Sequence, residues 1–236
     1  GGAASESRLT APAVVSFDLD ETLWEFMPMM EGSLSRTIER LEERVPGLAG
    51  TLTIEVLHAY RAELDGVAGT YEELRLESFR RALADRGVVE EGLPRWMVDV
   101  WMAERVFSVE LHPDVEPEMD RLERAGHVLG AITNGNFPVE RLEMARRFAF
   151  VVHAERVGEL KPAAAPFLHA RELAGGEPER WVHVGDDLDT DVAGAQACGM
   201  KAVWINRAGR ELPDGYAPDA ELCSLDGLAE LVARLV

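Results

Sequence analysis

Cysteine is scarce in this chain of 236 residues, which contains only Cys198 and Cys223. Two cysteines are too few for a four-thiolate metal site or for a framework of several disulfides. Both have apolar or small neighbours in the sequence, so we interpret them as ordinary packing residues. The cysteine content therefore argues against zinc-ribbon proteins and disulfide-stapled scaffolds.

Basic residues are also few. The chain has 24 Lys and Arg residues against 43 Asp and Glu residues, which gives a formal net charge of −19. This charge argues against a nucleic-acid backbone or an anionic membrane surface as the main partner. An anionic substrate would need local positive charge, such as a metal ion or a well-placed lysine.

Long apolar runs and targeting segments are missing from the sequence. No uninterrupted apolar run approaches the ~18 residues of a membrane span. Residues 1–7 carry neither the basic nor the apolar region of a signal peptide. We therefore expect a cytoplasmic protein with no membrane partner and no nucleic-acid partner, and the sequence predicts no particular oligomeric state.

Short apolar runs alternate with helical patterns in most of the chain, and hydrophobic residues make up 47% of it, enough for a substantial core. Strands are predicted at residues 13–17, 127–133, 150–152, 181–184 and 202–205. Helices are predicted between and after them at residues 115–125, 138–148, 163–174, 191–198 and 225–235. Continuous apolar strands separated by helices indicate an α/β fold, a Rossmann-like parallel sheet with helices on both faces.

The segment after the first strand has a different pattern, rich in charge and helical throughout. Four helices are predicted there, at residues 33–44, 53–64, 71–86 and 94–109. The sequence therefore predicts two domains. Residues 9–25 and 112–236 form the Rossmann-like catalytic core, and residues 26–111 form an inserted helical cap.

Polar residues follow several of the predicted strands. Asp18 and Asp20 come after the first strand, residues 133–135 after the second and the acidic segment 186–191 after the fourth. Lys161 follows the third strand by several residues. Because reactive groups gather at the carboxyl ends of parallel strands, we expect these side chains to share one crevice.

Four of these residues are carboxylates: Asp18, Asp20, Asp186 and Asp191. They cannot all ionise in one crevice without a cation. Mg²⁺ suits such ligands, since it is usually held by a few carboxylates together with substrate phosphate. With a metal present, one carboxylate can act as a nucleophile and its neighbour as a general acid or base.

The other polar residues can bind an anion. Thr133, Asn134 and the backbone of Gly135 can donate hydrogen bonds to anionic oxygens, and Lys161 adds a fixed positive charge. Each segment alone has an ordinary alternative, since Asp-x-Asp and Thr-Asn-Gly often form turns and an acidic run often caps a helix. Their order on one predicted sheet edge favours a shared site for a phosphate group.

Four motifs in this order resemble those of the haloacid-dehalogenase-like hydrolase superfamily. They are Asp18-Leu19-Asp20-Glu21-Thr22-Leu23, Thr133-Asn134, Lys161-Pro162 and Gly185-Asp186-Asp187-x-x-x-Asp191. The helical insert is similar to the C1 cap of that superfamily. Among members of the superfamily, the chain looks most like a bacterial flavin-pathway phosphatase, on the pattern of residues 132–136, 183–187, 191–192 and 199–200. That enzyme acts on flavin mononucleotide and 5-amino-6-(5-phosphoribitylamino)uracil.

The resemblance implies roles for individual residues. Asp18 would attack phosphorus and form an aspartyl-phosphate, while Asp20 would protonate the leaving alkoxide and then activate water. Thr133 and Asn134 would hold phosphate oxygens. Lys161 would neutralise both the nucleophile and the phosphate.

The resemblance also implies a metal site. Asp18, the backbone carbonyl of Asp20 and Asp186 would bind Mg²⁺, with Asp191 in support through water or the lysine. Asp187 stands where many relatives have Ser, and we expect it to support the site without binding the metal directly. The function predicted is a Mg²⁺-dependent phosphatase that hydrolyses a small phosphomonoester, so that its partner is a small phosphorylated metabolite.

Other functions use similar residues. The haloacid dehalogenases share the nucleophile but lack the second aspartate of the first motif, so Asp20 favours phosphoryl chemistry. A phosphomutase of the superfamily would keep Asp20 as well. A non-catalytic phospho-receiver module also places aspartates, Thr and Lys on a parallel sheet, but it would be near half this length and have no cap.

Overall fold

A computed structural model describes residues 12–236 of the chain. Residues 1–7, in which no signal peptide is predicted, and residues 9–11 of the predicted core lie outside the described residues. The chain divides into two compact units. Of the described residues, the first unit comprises 12–23, His112–Asn134 and Arg146–Val236, and the second comprises Trp24–Leu111 and Gly135–Ala145.

The first unit is built on a parallel sheet. Within the described residues its strands are β1 (Val14–Phe17), β2 (Val128–Thr133), β3 (Phe148–His153), β4 (Trp181–Gly185), β5 (Lys201–Ile205) and β6 (Ala220–Leu222). They lie in the order β3-β2-β1-β4-β5-β6, and every neighbouring pair is parallel. The predicted fold class, a Rossmann-like α/β sheet, is confirmed.

The second unit is helical. Its main helices are α1 (Phe26–Arg44), α2 (Ile54–Ala62), α3 (Tyr71–Ala84) and α4 (Leu93–Ser108). Thr70 caps α3 in a capping box with Glu73, because each side chain bonds the other residue's backbone N–H. The apolar side of α1 packs with Phe79 of α3 and Trp101 of α4 in one buried cluster.

The helices of the first unit flank the sheet. They are α5 (Val115–Arg124), α6 (Ala154–Val157), α7 (Ala164–Ala174), α8 (Gly194–Ala197) and α9 (Leu228–Leu235). Val14, Trp181 and Trp204 pack with Phe167 of α7 in one apolar cluster. Since side chains alternate along a strand, the intervening residues, such as the fully buried Val15, face the other side of the sheet.

Two predicted helices have a different backbone form in the structure. The predicted helix at residues 138–148 is wrong, because the segment holds only short 3₁₀ turns at Val139–Arg141 and Glu143–Arg147 before β3 begins. The pairing of Phe148 with Leu129 of β2 outweighs the local helical pattern. The predicted helix at residues 191–198 is a π-helical turn, Leu188–Ala193, followed by the single turn of α8.

The boundary of the helical unit also differs from the sequence-based division. Residues 135–145, assigned by sequence to the core, belong to the second unit. Phe137 explains this placement, since its ring lies 4.9 Å from that of Trp24 and both are fully buried. Helix α1 begins at Phe26, seven residues before its predicted start, because Pro28 is tolerated in the first turn of a helix.

No helix between residues 12 and 236 combines the length and the apolar character that crossing a bilayer requires.

The close approach of Phe150 to β2 leads to a prediction. A Cβ atom added at Gly130 would lie 2.2 Å from the Phe150 ring. Gly130→Ala should therefore lower the free energy of unfolding by about 1–3 kcal/mol through overpacking. Gly47→Ala is the matched control, because its Cβ would meet nothing within 4 Å. Urea denaturation of both variants measures the effect, and equal stabilities would contradict the proposed clash.

Candidate active site

The first acidic residue of the site continues the line of strand β1. The backbone N–H of Asp18 donates to the carbonyl of Val184 in β4 at 2.8 Å, which fixes where Asp18 leaves the sheet. A tight turn follows, in which the Leu23 N–H bonds the Leu19 carbonyl at 2.8 Å. Glu21 adopts a φ of 63° in that turn, an unusual conformation for a residue other than glycine. The half-buried Asp20 therefore lies between the strand end and a strained turn.

Lys161 lies at the centre of the site and is buried. Its Nζ donates to Asp18 Oδ1 at 2.8 Å, to Asp191 Oδ1 at 2.5 Å and to the carbonyl of Ile132 at 2.7 Å. These three acceptors use all three N–H groups of the ammonium. Burial alone would lower the pKa of Lys161, but the two carboxylates outweigh it and raise that pKa. Lys161 is therefore a permanent cation here.

Asn134 holds the backbone of this lysine. Its Nδ2 donates to the Lys161 carbonyl at 3.0 Å, and its Oδ1 accepts from the Lys161 N–H at 2.7 Å. Both ends of the amide are thereby used for positioning. The role in binding phosphate oxygens that the sequence predicts for Asn134 stays a prediction, whereas its role in placing Lys161 is visible in the structure.

Asp191 lies on the π-helical turn and is fully enclosed. Its Oδ2 accepts from the Asp187 N–H at 3.1 Å, while Oδ1 accepts from Lys161. A Cβ atom at Gly185 would lie 2.3 Å from the Asp191 carboxylate, so only glycine leaves room for this side chain. Although burial favours the neutral form, Lys161 and His183 hold the pKa of Asp191 well below its usual range. Asp191 is therefore a stable partner for the lysine.

Two residues behind Asp191 were not found by sequence reasoning. His183 Nε2 lies 3.3 Å from Asp191 Oδ1, and His183 Nδ1 lies 2.8 Å from Ser16 Oγ. Ser16 and His183 are direct partners in the register of β1 and β4. A polar residue inside each of two apolar strands is the signal that could have indicated them. Burial lowers the pKa of His183, which favours a neutral ring.

Three carboxylates converge closely enough to hold a metal ion. One oxygen each from Asp18, Asp186 and Asp191 lies within 4.8 Å of the others. Burial, followed by the charges of Asp191 and Asp187, raises the pKa of Asp186 to about 7. Burial likewise raises the pKa of Asp18, although Lys161 opposes the effect. Oxygen ligands that resist ionisation in this way fit a divalent cation, which would stabilise their charged forms.

Neighbouring residues fix the loop that carries Asp186. The backbone carbonyl of Asp186 accepts from Trp204 Nε1 at 2.9 Å and from Arg210 Nη2 at 2.8 Å. The Asp187 side chain caps the π-helical turn, accepting from the Asp189 and Thr190 N–H groups at 3.0 and 2.7 Å. Asp187 therefore shapes the loop, and it is not one of the three converging carboxylates.

The remaining predicted residues occupy different places. The carboxylate of Asp20, the fourth predicted metal ligand, is not part of the converging group. Thr133 ends β2 and is buried. Gly135, predicted to bind phosphate through its backbone, belongs to the second unit. The substrate roles of Thr133 and Gly135 stay predictions.

The site is a buried lysine between two aspartates at the strand ends of a parallel α/β sheet, an arrangement that hydrolases of the predicted superfamily share. Residues 12–199 match the haloacid dehalogenase-like hydrolases, and the chain belongs to that family. The resemblance inferred from the four motifs is thereby confirmed, as is the prediction that the chain is a hydrolytic enzyme.

Similar proteins are known from several organisms. A glyceraldehyde 3-phosphate phosphatase of Methanopyrus kandleri is 31% identical, with 94% of this chain and 97% of that protein covered. The 5-amino-6-(5-phospho-D-ribitylamino)uracil phosphatase YigB of Escherichia coli is 26% identical, with 93% and 96% covered. A crystal structure of a 2-haloacid dehalogenase from Pseudomonas syringae is 36% identical, with a TM-score of 0.82 and 95% and 100% covered.

The raised pKa of Asp186 predicts a pH dependence of stability. The folded carboxyl keeps its proton up to about pH 7, whereas the unfolded one loses it near pH 4. Stability from this group is therefore lost as pH rises from about 4 to 7. In metal-free buffer, the free energy of unfolding of Asp186→Asn should exceed that of the wild type by about 1–3 kcal/mol at pH 8 and by much less at pH 5.

Urea denaturation across this pH range measures the difference between the two proteins. Asp214→Asn is the control, since Asp214 is exposed in a turn. A difference between Asp186→Asn and the wild type that does not change with pH would contradict the assignment.

Proposed function

We propose that the chain is a Mg²⁺-dependent phosphatase that hydrolyses a small phosphomonoester through an aspartyl-phosphate at Asp18. One observation carries this proposal. The Asp18 carboxylate lies 2.8 Å from the Lys161 ammonium, in a group of three converging carboxylates. The two curated relatives described above are phosphatases by name, which supports phosphoryl chemistry.

The reaction has two displacement steps. In the first, an Asp18 oxygen forms a bond to phosphorus while the bond to the substrate's alkoxide oxygen breaks. Asp20 gives its proton to that alkoxide, so the product leaves as an alcohol. In the second, Asp20 takes a proton from water as the water oxygen attacks phosphorus. Inorganic phosphate leaves and the Asp18 carboxylate is restored.

Lys161 stabilises charge during both steps. Its ammonium lies between Asp18 and Asp191 before substrate arrives, so no reorganisation is needed at the moment of transfer. Asn134 fixes its backbone and Asp191 fixes its end. The same charge that neutralises Asp18 can interact with phosphoryl oxygens bonded to that residue.

Asp18, Asp186 and the backbone carbonyl of Asp20 would hold Mg²⁺, with Asp191 in support. When bound, the ion supplies the positive charge that lets several carboxylates and a phosphate share one site. The raised pKa values of Asp18 and Asp186 support this assignment, because both groups favour the neutral form without a cation.

The substrate we propose is a small phosphorylated metabolite. Flavin mononucleotide and the ribityl-phosphate flavin precursor are the first candidates, since the motif pattern points to both and the E. coli relative is named for the precursor. Glyceraldehyde 3-phosphate comes next because of the M. kandleri relative. The helical second unit is proposed as the cap that selects among such esters, since closure of an inserted unit excludes water from phosphoryl transfer.

A dehalogenase is the second candidate, because the P. syringae structure carries that name. In that reaction Asp18 would attack carbon and displace halide. Asp20 favours the phosphatase, since it supplies a proton that a halide leaving group does not need. Measuring chloride release from 2-chloropropionate beside phosphate release from p-nitrophenyl phosphate separates the two functions.

The division of labour between the aspartates can be tested by substitution. Asp18→Asn should abolish turnover because it removes the nucleophile. Asp20→Asn should lower kcat for an alkyl phosphate by roughly 10²–10⁴, and by less for p-nitrophenyl phosphate, whose leaving group needs little protonation. Steady-state phosphate release measures both, with Asp214→Asn as the exposed control. Unchanged turnover in Asp18→Asn would exclude the proposed nucleophile.

Metal removal tests the cation requirement. EDTA should abolish phosphate release and excess Mg²⁺ should restore it, because the acidic cluster would otherwise repel the substrate. EDTA preloaded with an equal amount of Mg²⁺ is the control for chelator effects. The requirement for Mg²⁺ would be refuted by full activity in metal-free buffer.

A further inference from the structure

The interior of the second unit contains two arginines stacked on one tryptophan. Arg75 of α3 and Arg105 of α4 are only 6% and 2% exposed. The guanidinium carbon of each lies 4.9 Å from the ring centroid of Trp101. Arg75 also lies over Phe79, and Arg105 over Phe137. Stacking of this kind covers the flat faces of a guanidinium, while the N–H groups around its edge remain available to donate hydrogen bonds.

Arg75 differs from the surface arginines of the same unit. Arg40 pairs with Glu104 at 2.6 Å, and Arg95 pairs with Glu72 at 2.6 Å. Arg75 has no carboxylate partner among residues 12–236, and its Nη2 contacts only the sulfur of Met30, at 3.9 Å. Its Nε and Nη1 are buried without an acceptor in the described part of the chain. A guanidinium with unsatisfied N–H groups is costly to bury unless a further ligand accepts its hydrogen bonds.

The neighbouring groups left without a partner are of the same type. Trp101 Nε1 and Asn136 Nδ2 are buried donors with no acceptor in the described residues. Asn136 Oδ1 accepts from Arg105 Nη1 at 2.7 Å, which orients the amide so that its NH₂ is the free end. Every unsatisfied atom of Arg75, Trp101 and Asn136 is therefore an N–H donor. The complement of such a set is a ligand that only accepts hydrogen bonds, which is an oxyanion.

The electrostatics agree with this reading. Burial, followed by the positive charges of Arg61 and Arg105, lowers the pKa of Arg75 to about 10. Positive charge is thus concentrated in one place in a chain whose net charge is −19. A bound anion would relieve the repulsion between the guanidinium groups.

We propose that Arg75, Trp101, Arg105 and Asn136 form a binding site for the oxyanion of a small metabolite, either a carboxylate or a phosphate. This site rests on residues of the second unit alone, so it does not depend on the phosphatase assignment. The oxyanion can come from one of two sources, which are a second acidic group on the substrate itself and a separate small acid. Their shared chemistry is an anion that accepts several N–H bonds at once.

Thermal unfolding of the full chain tests the site directly, with malonate as the probe. The Tm of the wild type should rise with sodium malonate and saturate, relative to sodium chloride of equal ionic strength. Arg75→Met should lose this malonate-specific rise. It should also unfold no lower than the wild type in chloride alone, because it removes an unpaired buried charge.

Two further variants sharpen the test. Arg95→Met is the matched control, since it removes an exposed and paired arginine of the same unit, and it should keep the full malonate effect. Trp101→Phe keeps the ring and removes one N–H, so the malonate midpoint should rise severalfold. This conservative change keeps the test valid if Arg75→Met fails to fold. Either no malonate-specific rise in the wild type, or a full rise in both Arg75→Met and Trp101→Phe, would overturn the proposal.

A kinetic comparison separates the two sources of the oxyanion. 3-Phosphoglycerate and glycerol 3-phosphate differ in having a carboxylate or a hydroxymethyl group. If the substrate supplies the oxyanion, Arg75→Met should lower kcat/KM for 3-phosphoglycerate at least tenfold more than for glycerol 3-phosphate. If a separate acid supplies it, both esters should change equally while the wild type keeps its malonate-dependent Tm. Both results support the site, and the Tm measurement stands even if neither ester is hydrolysed.

Discussion

The site depends on one buried ammonium, that of Lys161, held between the carboxylates of Asp18 and Asp191. A charge taken out of water is costly unless its hydrogen bonds are complete, and here a carbonyl supplies the third acceptor. The surrounding residues serve this arrangement. Asn134 holds the backbone of the lysine at both the N–H and the carbonyl. Because the hydrogen bonds of the ammonium are formed before any ligand arrives, the energetic cost of arranging them belongs to folding and not to catalysis.

The parallel sheet explains how residues so far apart in sequence reach that ammonium. Strands β1, β2 and β4 are neighbours, so their carboxyl ends deliver Asp18, Thr133 and Asp186 to one edge. The π-helical turn after β4 then directs Asp191 back over Gly185, where only the absence of a Cβ leaves room. A wider helical turn of this kind is uncommon and frequently marks a functional position. The backbone here has therefore adapted to the placement of one carboxylate.

Much of this arrangement could be predicted from the sequence, because it depends on local patterns. Apolar runs located five of the six described strands, and the polar residues after them indicated Asp18, Lys161, Asp186 and Asp191. Strand β6 was not predicted, since its three residues, Ala220–Leu222, are only partly buried and show no apolar run. The contact of Ser16 with His183 depends on strand register, which no local pattern encodes. The loss of the predicted helix at residues 138–148 has the same origin, since pairing with β2 and packing on Trp24 are both distant in sequence.

The division of the chain has a consequence for how such a protein could be altered. The backbone passes between the two units at four places, after residues 23, 111, 134 and 145, because the segment 135–145 belongs with the helices. The helical unit is therefore not one continuous segment of the chain, and it cannot be exchanged through only two junctions. A transplant that replaced residues 24–111 alone would remove Trp24, the packing partner of Phe137. The apolar surface of Phe137 would then meet side chains that were not matched to it. An exchange of the helical unit between two such proteins would therefore have to include residues 135–145 together with residues 24–111.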